Sequence, residues 1–179
     1  MKINLGCGND IRPGWVNVDC AALPGVDIVH DLNVLPLPFE DAVADEIACE
    51  DVLEHVDYVP LLKEMHRVLK PGGTINISVP HFTSNNNYVD PTHRNRFSVK
   101  TFNFFCDGTS ERELRPYYFP DLSFRGIQRR ITFTTKGPFI FNRPVQWLAN
   151  RSHKCQTFYE ATGLSRMFPA ENLRVILAK

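Results

Sequence analysis

The sequence lacks the features that mark membrane, secreted and thiolate-metal proteins. No apolar run approaches the roughly 20 residues that cross a bilayer, and no hydrophobic stretch near the N-terminus precedes a small-residue cleavage site. The five cysteines form no CxxC pair and are odd in number, which argues against a disulfide framework or a zinc knuckle. Repeats, low-complexity tracts and linkers are also missing. We therefore expect one soluble, cytoplasmic domain over residues 1–179 with no membrane partner.

Charge is balanced overall but divided along the chain. The formal net charge is zero, yet residues 1–90 hold 5 Lys and Arg against 14 Asp and Glu, whereas residues 91–179 hold 15 against 6. This asymmetry indicates either two halves of one sheet that attract each other or a basic surface that faces an anionic substrate. The basic residues are scattered among aromatic residues, so a nucleic-acid partner is not expected.

The first half of the chain alternates between strand and helix patterns. A β-α-β series of this kind predicts a parallel sheet with crossover helices. We expect one helix at residues 59–69, where apolar residues recur at helical spacing before Lys70-Pro71-Gly72-Gly73. The predicted strands of this half are residues 2–5, 15–19, 26–30, 44–49 and 74–79.

The second half is less regular. Residues 81–96 are polar and turn-prone, which is typical of a functional loop. We expect a short helix within 97–106, a strand at 127–135, one or two helices within 137–172, and a last strand at 173–178.

A glycine turn and an acidic strand end together predict a nucleotide site. Gly6-Cys7-Gly8 follows the first strand, and glycine lets the backbone approach a ligand where a Cβ would clash. Asp19 ends the second strand, where a carboxylate can accept hydrogen bonds from both ribose hydroxyls. The third glycine of the dinucleotide fingerprint is missing, because residue 11 is Ile11.

Several short motifs occur in a fixed order over residues 2–80. They are Leu5-Gly6-Cys7-Gly8, Asp19, Leu37-Pro38-Phe39, Val52-Leu53-Glu54-His55-Val56 and Leu69-Lys70-Pro71-Gly72-Gly73. In this order and spacing the chain resembles the class I S-adenosylmethionine-dependent methyltransferases, and in particular their small methyltransferase-domain branch. The resemblance implies an α/β, Rossmann-like, doubly wound seven-stranded sheet in a three-layer αβα arrangement. That sheet would be mostly parallel, with an antiparallel C-terminal strand paired to the strand at 127–135 as a hairpin.

The resemblance also implies a cofactor, S-adenosyl-L-methionine, and a set of residues around it. The Leu5–Gly8 turn would run beside the methionine part, and Asp19 would hold the ribose. Asp31 and Leu32 would flank the adenine, and Cys49 and Glu50 would pass the methionine amine. The implied cofactor-binding residues are therefore Leu5, Gly6, Cys7, Gly8, Asp19, Asp31, Leu32, Cys49 and Glu50.

Two departures from the family's pattern concern the cofactor side. Almost nothing precedes the first strand, and residues 8–15 are too short for a full crossover helix. We therefore expect a more open methionine end, with room for a partner subunit, and a homodimer is one such arrangement.

The acceptor is expected beyond the carboxyl ends of the strands, where ligands bind in open α/β sheets. His81 follows the fifth strand and is the first candidate for a general base, with Asp90 and His93 on the loop beyond it as further catalytic candidates. His81, Asp90 and His93 also have donor types that suit a metal ion, but two histidines do not favour a hard cation. We therefore predict no metal ion.

The predicted function is methyl transfer from S-adenosylmethionine to a hydroxyl or amine of a small acceptor. A carbohydrate-like, sugar or phosphorylated acceptor is favoured by analogy with similar small methyltransferases. Two alternatives stay open. One is a degenerate methyltransferase fold that serves as a binding or regulatory subunit, and the other is a nicotinamide-dependent sugar-modifying enzyme.

Overall fold

The computed structural model describes residues 1–179 and contains one seven-stranded sheet. The strands lie at the predicted positions with three differences: β3 has only two residues, β5 begins at Leu69 directly after the first helix, and β6 ends at Ile131 rather than at residue 135. They are β1 (Lys2–Leu5), β2 (Val16–Asp19), β3 (Ile28–Val29), β4 (Ala44–Glu50), β5 (Leu69–Pro80), β6 (Gly126–Ile131) and β7 (Asn172–Ala178).

The sheet has the order β3-β2-β1-β4-β5-β7-β6. β1, β2, β3, β4 and β5 pair in parallel, and β7 runs antiparallel to both of its neighbours, β5 and β6. The order in which strands are added to the sheet reverses between β1 and β4, and ligands bind at such switch points in α/β folds. The mostly parallel, Rossmann-like sheet with an antiparallel C-terminal strand is thus confirmed.

Six short helices and two 3₁₀ turns connect the strands. They are α1 (Tyr58–Val68), α2 (Asn86–Val89), a 3₁₀ turn at Thr101–Phe105, α3 (Ser110–Leu114), a 3₁₀ turn at Gly137–Phe139, α4 (Asn142–Ala149), α5 (His153–Ala161) and α6 (Leu164–Met167). None of these helices has the length and apolar character required to cross a membrane. Residues 137–172, where one or two helices were expected, hold the three helices α4, α5 and α6, and β6 and β7 pair without forming a tight hairpin.

Only one face of the sheet carries the hydrophobic core. Ile3, Ile47 and Ile75 on three adjacent strands are fully buried, and α1 packs on them through side chains such as Leu61 and Met65. Three phenylalanines between residues 97 and 105 extend this core, since Phe97, Phe102 and Phe105 are buried and contact one another or Tyr58.

The opposite face is polar over strands β4 to β7. Side chains at alternate strand positions line a groove of about 560 Å³ there, including Glu46, Asn76, Gln128 and Arg174. Residues of β7 alternate between exposed and buried, which is the pattern of a sheet with one solvated face. The expected third layer of helices does not cover these strands, because the connections β1–β2, β2–β3 and β3–β4 contain no helix.

Candidate functional site

The glycine turn after β1 brings the backbone into the left-handed region twice. Gly6 has a φ of +66° and Gly8 a φ of +47°. A Cβ on Gly6 would lie 2.2 Å from Cγ2 of Val52, whereas a Cβ on Gly8 would meet no atom within 4 Å. Gly6 therefore serves close packing against the segment after β4. Gly8 leaves an open space beside the backbone that a ligand can occupy.

Asp19 lies next to this open space. Its Oδ2 accepts a hydrogen bond from the Gly8 amide at 2.8 Å, and its Oδ1 accepts one from the Ala21 amide at 2.9 Å. Burial alone would raise the pKa of Asp19, but hydrogen bonds from Ala21, Gly8 and Cys20 outweigh it and lower the pKa. The carboxylate is therefore ionised and fixed in position, and its remaining lone pairs can accept hydroxyl donors.

Buried asparagines hold the loop that replaces the first crossover helix. Asn4 on β1 is 2% exposed and its Nδ2 donates to the carbonyl of Asp10 at 2.7 Å. Asn17 on β2 accepts from the Arg12 amide at 2.9 Å through its Oδ1. Asp27 in turn accepts from the Asn17 amide at 2.7 Å. These bonds satisfy loop backbone groups that a helix would satisfy internally, so the turn is rigid without one.

Glu50 is exposed at the end of β4 and pairs with Arg12. The Arg12 guanidinium lies 2.9 Å from Glu50 Oε1 and 2.8 Å from Asp10 Oδ2, and it covers the Trp15 ring at 5.3 Å. The hydrogen bonds that Arg12 donates to Glu50 and Asp10 more than offset its desolvation and raise its pKa. The predicted contact of Glu50 with a methionine amine thus has to compete with this guanidinium.

Four of the predicted cofactor-binding residues lie in the core, namely Leu5, Cys7, Leu32 and Cys49. Leu5 and Cys49 are fully buried and Leu32 is 7% exposed, so these residues contact the protein interior rather than open space. Burial raises the pKa of the Cys49 thiol. Asp31 is exposed and forms an Asx turn, in which its Oδ1 accepts from the Asn33 amide at 2.9 Å and its other oxygen stays free. Cys7 is also buried, at 4% exposure.

The structure does not support His81 as a general base. Its side chain is fully buried, its Nε2 lies 2.9 Å from Oε1 of Glu160, and its Nδ1 lies 2.7 Å from Oγ1 of Thr83. Both ring nitrogens are thus occupied by partners inside the protein. The Glu160 oxygen also accepts from the Val99 amide, so His81 joins β5 to α5 as a structural residue.

Asp90 and His93, in contrast, lie together at a cavity beyond the carboxyl ends of β4 and β5. The cavity has a volume of about 290 Å³. Its lining residues are Asp51, Glu54, His55, Pro80, Asn86, Val89, Asp90, His93 and Asn172. Asp51 begins the segment that contains Val52, the residue on which Gly6 packs, so this cavity and the glycine turn are neighbours.

Glu54 is the residue that the sequence interpretation missed at this cavity. It is fully buried and neither of its carboxyl oxygens has a hydrogen-bond partner in the protein. Burial raises the pKa of Glu54 to about 7. One sequence feature could have indicated Glu54: a glutamate and a histidine stand inside the otherwise apolar run Val52-Leu53-Glu54-His55-Val56.

Known proteins resemble this chain in sequence and in fold. The methyltransferase-domain family matches residues 6–77. A demethylmenaquinone methyltransferase of Listeria welshimeri is 34% identical over 116 residues, which are 58% of this chain and 49% of that protein. The chain thus spans about half the length of that curated relative.

Solved structures with the same fold cover nearly the whole chain. A S-adenosylmethionine-dependent methyltransferase from Archaeoglobus fulgidus superposes with a TM-score of 0.59 at 17% identity, over 99% of this chain and 85% of that one. A Haloferax volcanii protein described as a putative methyltransferase, seen in complex with the Trm112 methyltransferase activator, gives a TM-score of 0.56 at 17% identity, over 99% and 81%. Residues 6–77 thus match the methyltransferase-domain family, and the whole chain has the fold seen in S-adenosylmethionine-dependent methyltransferases.

Proposed function

We propose that this chain binds S-adenosylmethionine and transfers its methyl group to a hydroxyl or amine of a small acceptor. One observation carries the proposal: the Gly8 amide fixes the Asp19 carboxylate beside an open space at the ends of β1 and β2. This is where a ribose binds in Rossmann-like sheets. The residues present therefore fit an adenosine.

The chain's own residues bind and orient the methyl donor. Asp19 accepts hydrogen bonds from the ribose hydroxyls, and the free carboxyl oxygen of Asp31 accepts one from the adenine amino group. The backbone of Gly6–Gly8 leaves room for the methionine part. The donor supplies a methyl group on a positively charged sulfur. The net negative charge of residues 1–90 favours that cation.

The acceptor binds in the cavity that contains Asp90 and His93. Carboxylates and an imidazole accept hydrogen bonds, so this lining suits an acceptor that presents hydroxyl or amine donors. A carbohydrate-like acceptor meets this requirement, whereas a phosphorylated one would place its charge beside Asp51 and Asp90. Displacement at the methyl carbon needs in-line positioning, and a carboxylate or imidazole here takes the acceptor's proton.

A thermal melt with S-adenosylhomocysteine tests the cofactor assignment. We expect the ligand to raise the melting temperature of the wild-type protein, because it binds the folded state alone. Asp19→Asn should lose most of this increase, and the exposed Asp121→Asn should retain it.

Turnover then separates an enzyme from a binding subunit. A screen of hydroxyl and amine acceptors with a radiolabelled methyl donor should show transfer that Asp19→Asn abolishes. A melting temperature that rises with a nicotinamide dinucleotide and not with millimolar S-adenosylhomocysteine would refute the proposal.

A further inference from the structure

Three metal-ligating side chains meet at the cavity beyond β4 and β5. Glu54, His55 and His93 each offer one ligand atom, and these three atoms lie within 4.8 Å of one another. Glu54 is fully buried with both carboxyl oxygens unpartnered, and the Nδ1 of His93 is also buried without a partner. Buried polar atoms are normally hydrogen-bonded, so these orphaned groups point to a ligand that satisfies them.

The hydrogen bonds of His55 define which ring nitrogen is free. The Thr92 hydroxyl donates its proton to Asp90 Oδ1 at 2.6 Å. The same Asp90 oxygen also accepts from the Thr92 amide at 2.8 Å, and an ionised carboxylate can only accept. Thr92 Oγ1 therefore accepts from Nδ1–H of His55 at 2.8 Å. Neutral His55 then carries its lone pair on Nε2, where it can bind a cation.

This arrangement is the outer shell that metal-binding histidines usually have. A ligating imidazole donates its second N–H to a carboxylate or another acceptor, which fixes the ring and strengthens the ligand. Here the acceptor is Thr92, backed by Asp90. The His55 and His93 rings lie edge to face with centroids 4.6 Å apart, so their nitrogens can converge from two directions.

We propose that Glu54, His55 and His93 form a binding site for one first-row divalent cation. Two imidazoles and one carboxylate are a ligand set that zinc and iron(II) accept, with positions left for exogenous oxygen ligands. The site departs from our prediction of no metal ion, which considered His81 with Asp90 and His93 and did not include Glu54. His81 is excluded, because both of its nitrogens are bonded elsewhere.

The cavity supplies the space and charge that such a cation requires. Asp51 lines the cavity and has a backbone φ of +54°. Residues other than glycine rarely adopt this conformation, and those that do are concentrated at functional sites. Asp51 and Asp90 add negative charge around the three ligands.

A role in the reaction follows if the proposed methyl transfer is correct, and this step rests on that function. An acceptor hydroxyl bound to the cation loses its proton to Asp90 or to water. The resulting oxygen forms a bond to the methyl carbon while the carbon–sulfur bond breaks and leaves its electron pair on sulfur. The cation is unchanged, so no oxidant or reductant is required.

Cobalt binding to the purified full-length chain tests the site without any methyl donor. After treatment with a chelator, titration with Co²⁺ should give visible absorption bands that saturate at one ion per chain. Glu54→Gln and His93→Gln should each weaken Co²⁺ binding at least about tenfold. His153→Gln, which changes an exposed histidine outside the cavity, should bind like the wild type.

The outcomes separate this proposal from the proposed function. S-adenosylhomocysteine should still stabilise His93→Gln, and this stabilisation also shows that the variant is folded. If Glu54→Gln does not fold, Co²⁺ binding by His93→Gln therefore tests the metal site. The metal site is refuted if the wild type binds none of Co²⁺, Zn²⁺ and Mn²⁺ near one per chain. It is equally refuted if folded His93→Gln binds Co²⁺ as tightly as the wild type.

Discussion

Gly6 and Gly8 share a left-handed backbone but differ in their surroundings. The position of a Cβ on Gly6 falls on Val52, and that on Gly8 falls in open space. A side chain at residue 6 would therefore disturb the fold, and one at residue 8 would mainly disturb what binds there. The same turn thus contains one glycine that packs against Val52 and one that faces open space.

Alanine at each position should separate these roles. Gly6→Ala should lower the free energy of unfolding by about 3 kcal/mol through the clash with Val52 and the backbone strain. Gly8→Ala should lower it by about 1 kcal/mol, from the left-handed conformation alone. Urea unfolding measures the stability of both variants, and titration calorimetry measures their affinity for S-adenosylhomocysteine. Relative to the stability that each variant loses, Gly8→Ala should lose more affinity than Gly6→Ala. Equal stability losses would contradict this assignment.

At the scale of elements, short helices depend on side-chain bonds for their attachment. α3 has only five residues and no buried side chain, so packing contributes little to holding it. Glu111 connects it to the neighbouring 3₁₀ turn, where Oε2 accepts from Asn103 Nδ2 at 2.7 Å and Oε1 lies 3.2 Å from Nζ of Lys100. Burial alone would raise the pKa of Glu111, but hydrogen bonds from Asn103, Ser110 and Lys100 outweigh it and lower the pKa to about 2.

The lowered pKa of Glu111 predicts an acid-dependent contribution to stability. The contribution is complete above the unfolded-state pKa near 4.5 and disappears as the pH falls towards 2. Allowing for solvent screening, Glu111→Gln should cost about 2 kcal/mol at pH 7 and almost nothing near pH 2. Urea unfolding of both proteins from pH 7 to pH 2 measures this, and Glu113→Gln on the same helix is the control. A cost for Glu111→Gln that does not change with pH would contradict the prediction.

At the scale of the whole molecule, the two faces of the sheet differ. The face with Val175 packs against the core, whereas the face with Ile176 opens into the polar groove. The three helix-free connections on the β1 side of the sheet account for this. Asn4 on β1 and Asn17 on β2 fit this absence of helices. They are polar residues at strand positions where apolar residues would contact a helix layer.

Neighbouring β7 residues measure this difference. Val175 is 1% exposed and Ile176 is 37% exposed, and both are β-branched, so the change in strand propensity on mutation to alanine is similar. Val175→Ala should cost about 2 kcal/mol and Ile176→Ala about 0.5 kcal/mol in the free energy of unfolding. A cost of 2 kcal/mol for Ile176→Ala would show that the groove face is packed in solution.

Sequence patterns were sufficient to predict the strands of the sheet and to place a candidate cofactor site beside β1 and β2. Alternating apolar residues, a glycine turn and Asp19 are local features, and each requires only neighbours along the chain. The motif order then predicted the class I fold, which the strand order confirms. The arrangement of the irregular second half was less predictable, because its short helices lack a period and depend on tertiary bonds such as that of Glu111.

The acceptor side was decided by tertiary structure. His81 appeared free after a strand end, but Glu160, 79 positions away, occupies its Nε2. Glu54 looked like part of a motif, yet only the fold shows that it is buried without a partner beside His93. The sequence by itself determined the fold class and predicted a ribose site at Asp19, because both depend on local backbone requirements. The tertiary structure decided which side chains are free to react, because that depends on contacts between residues far apart in the chain.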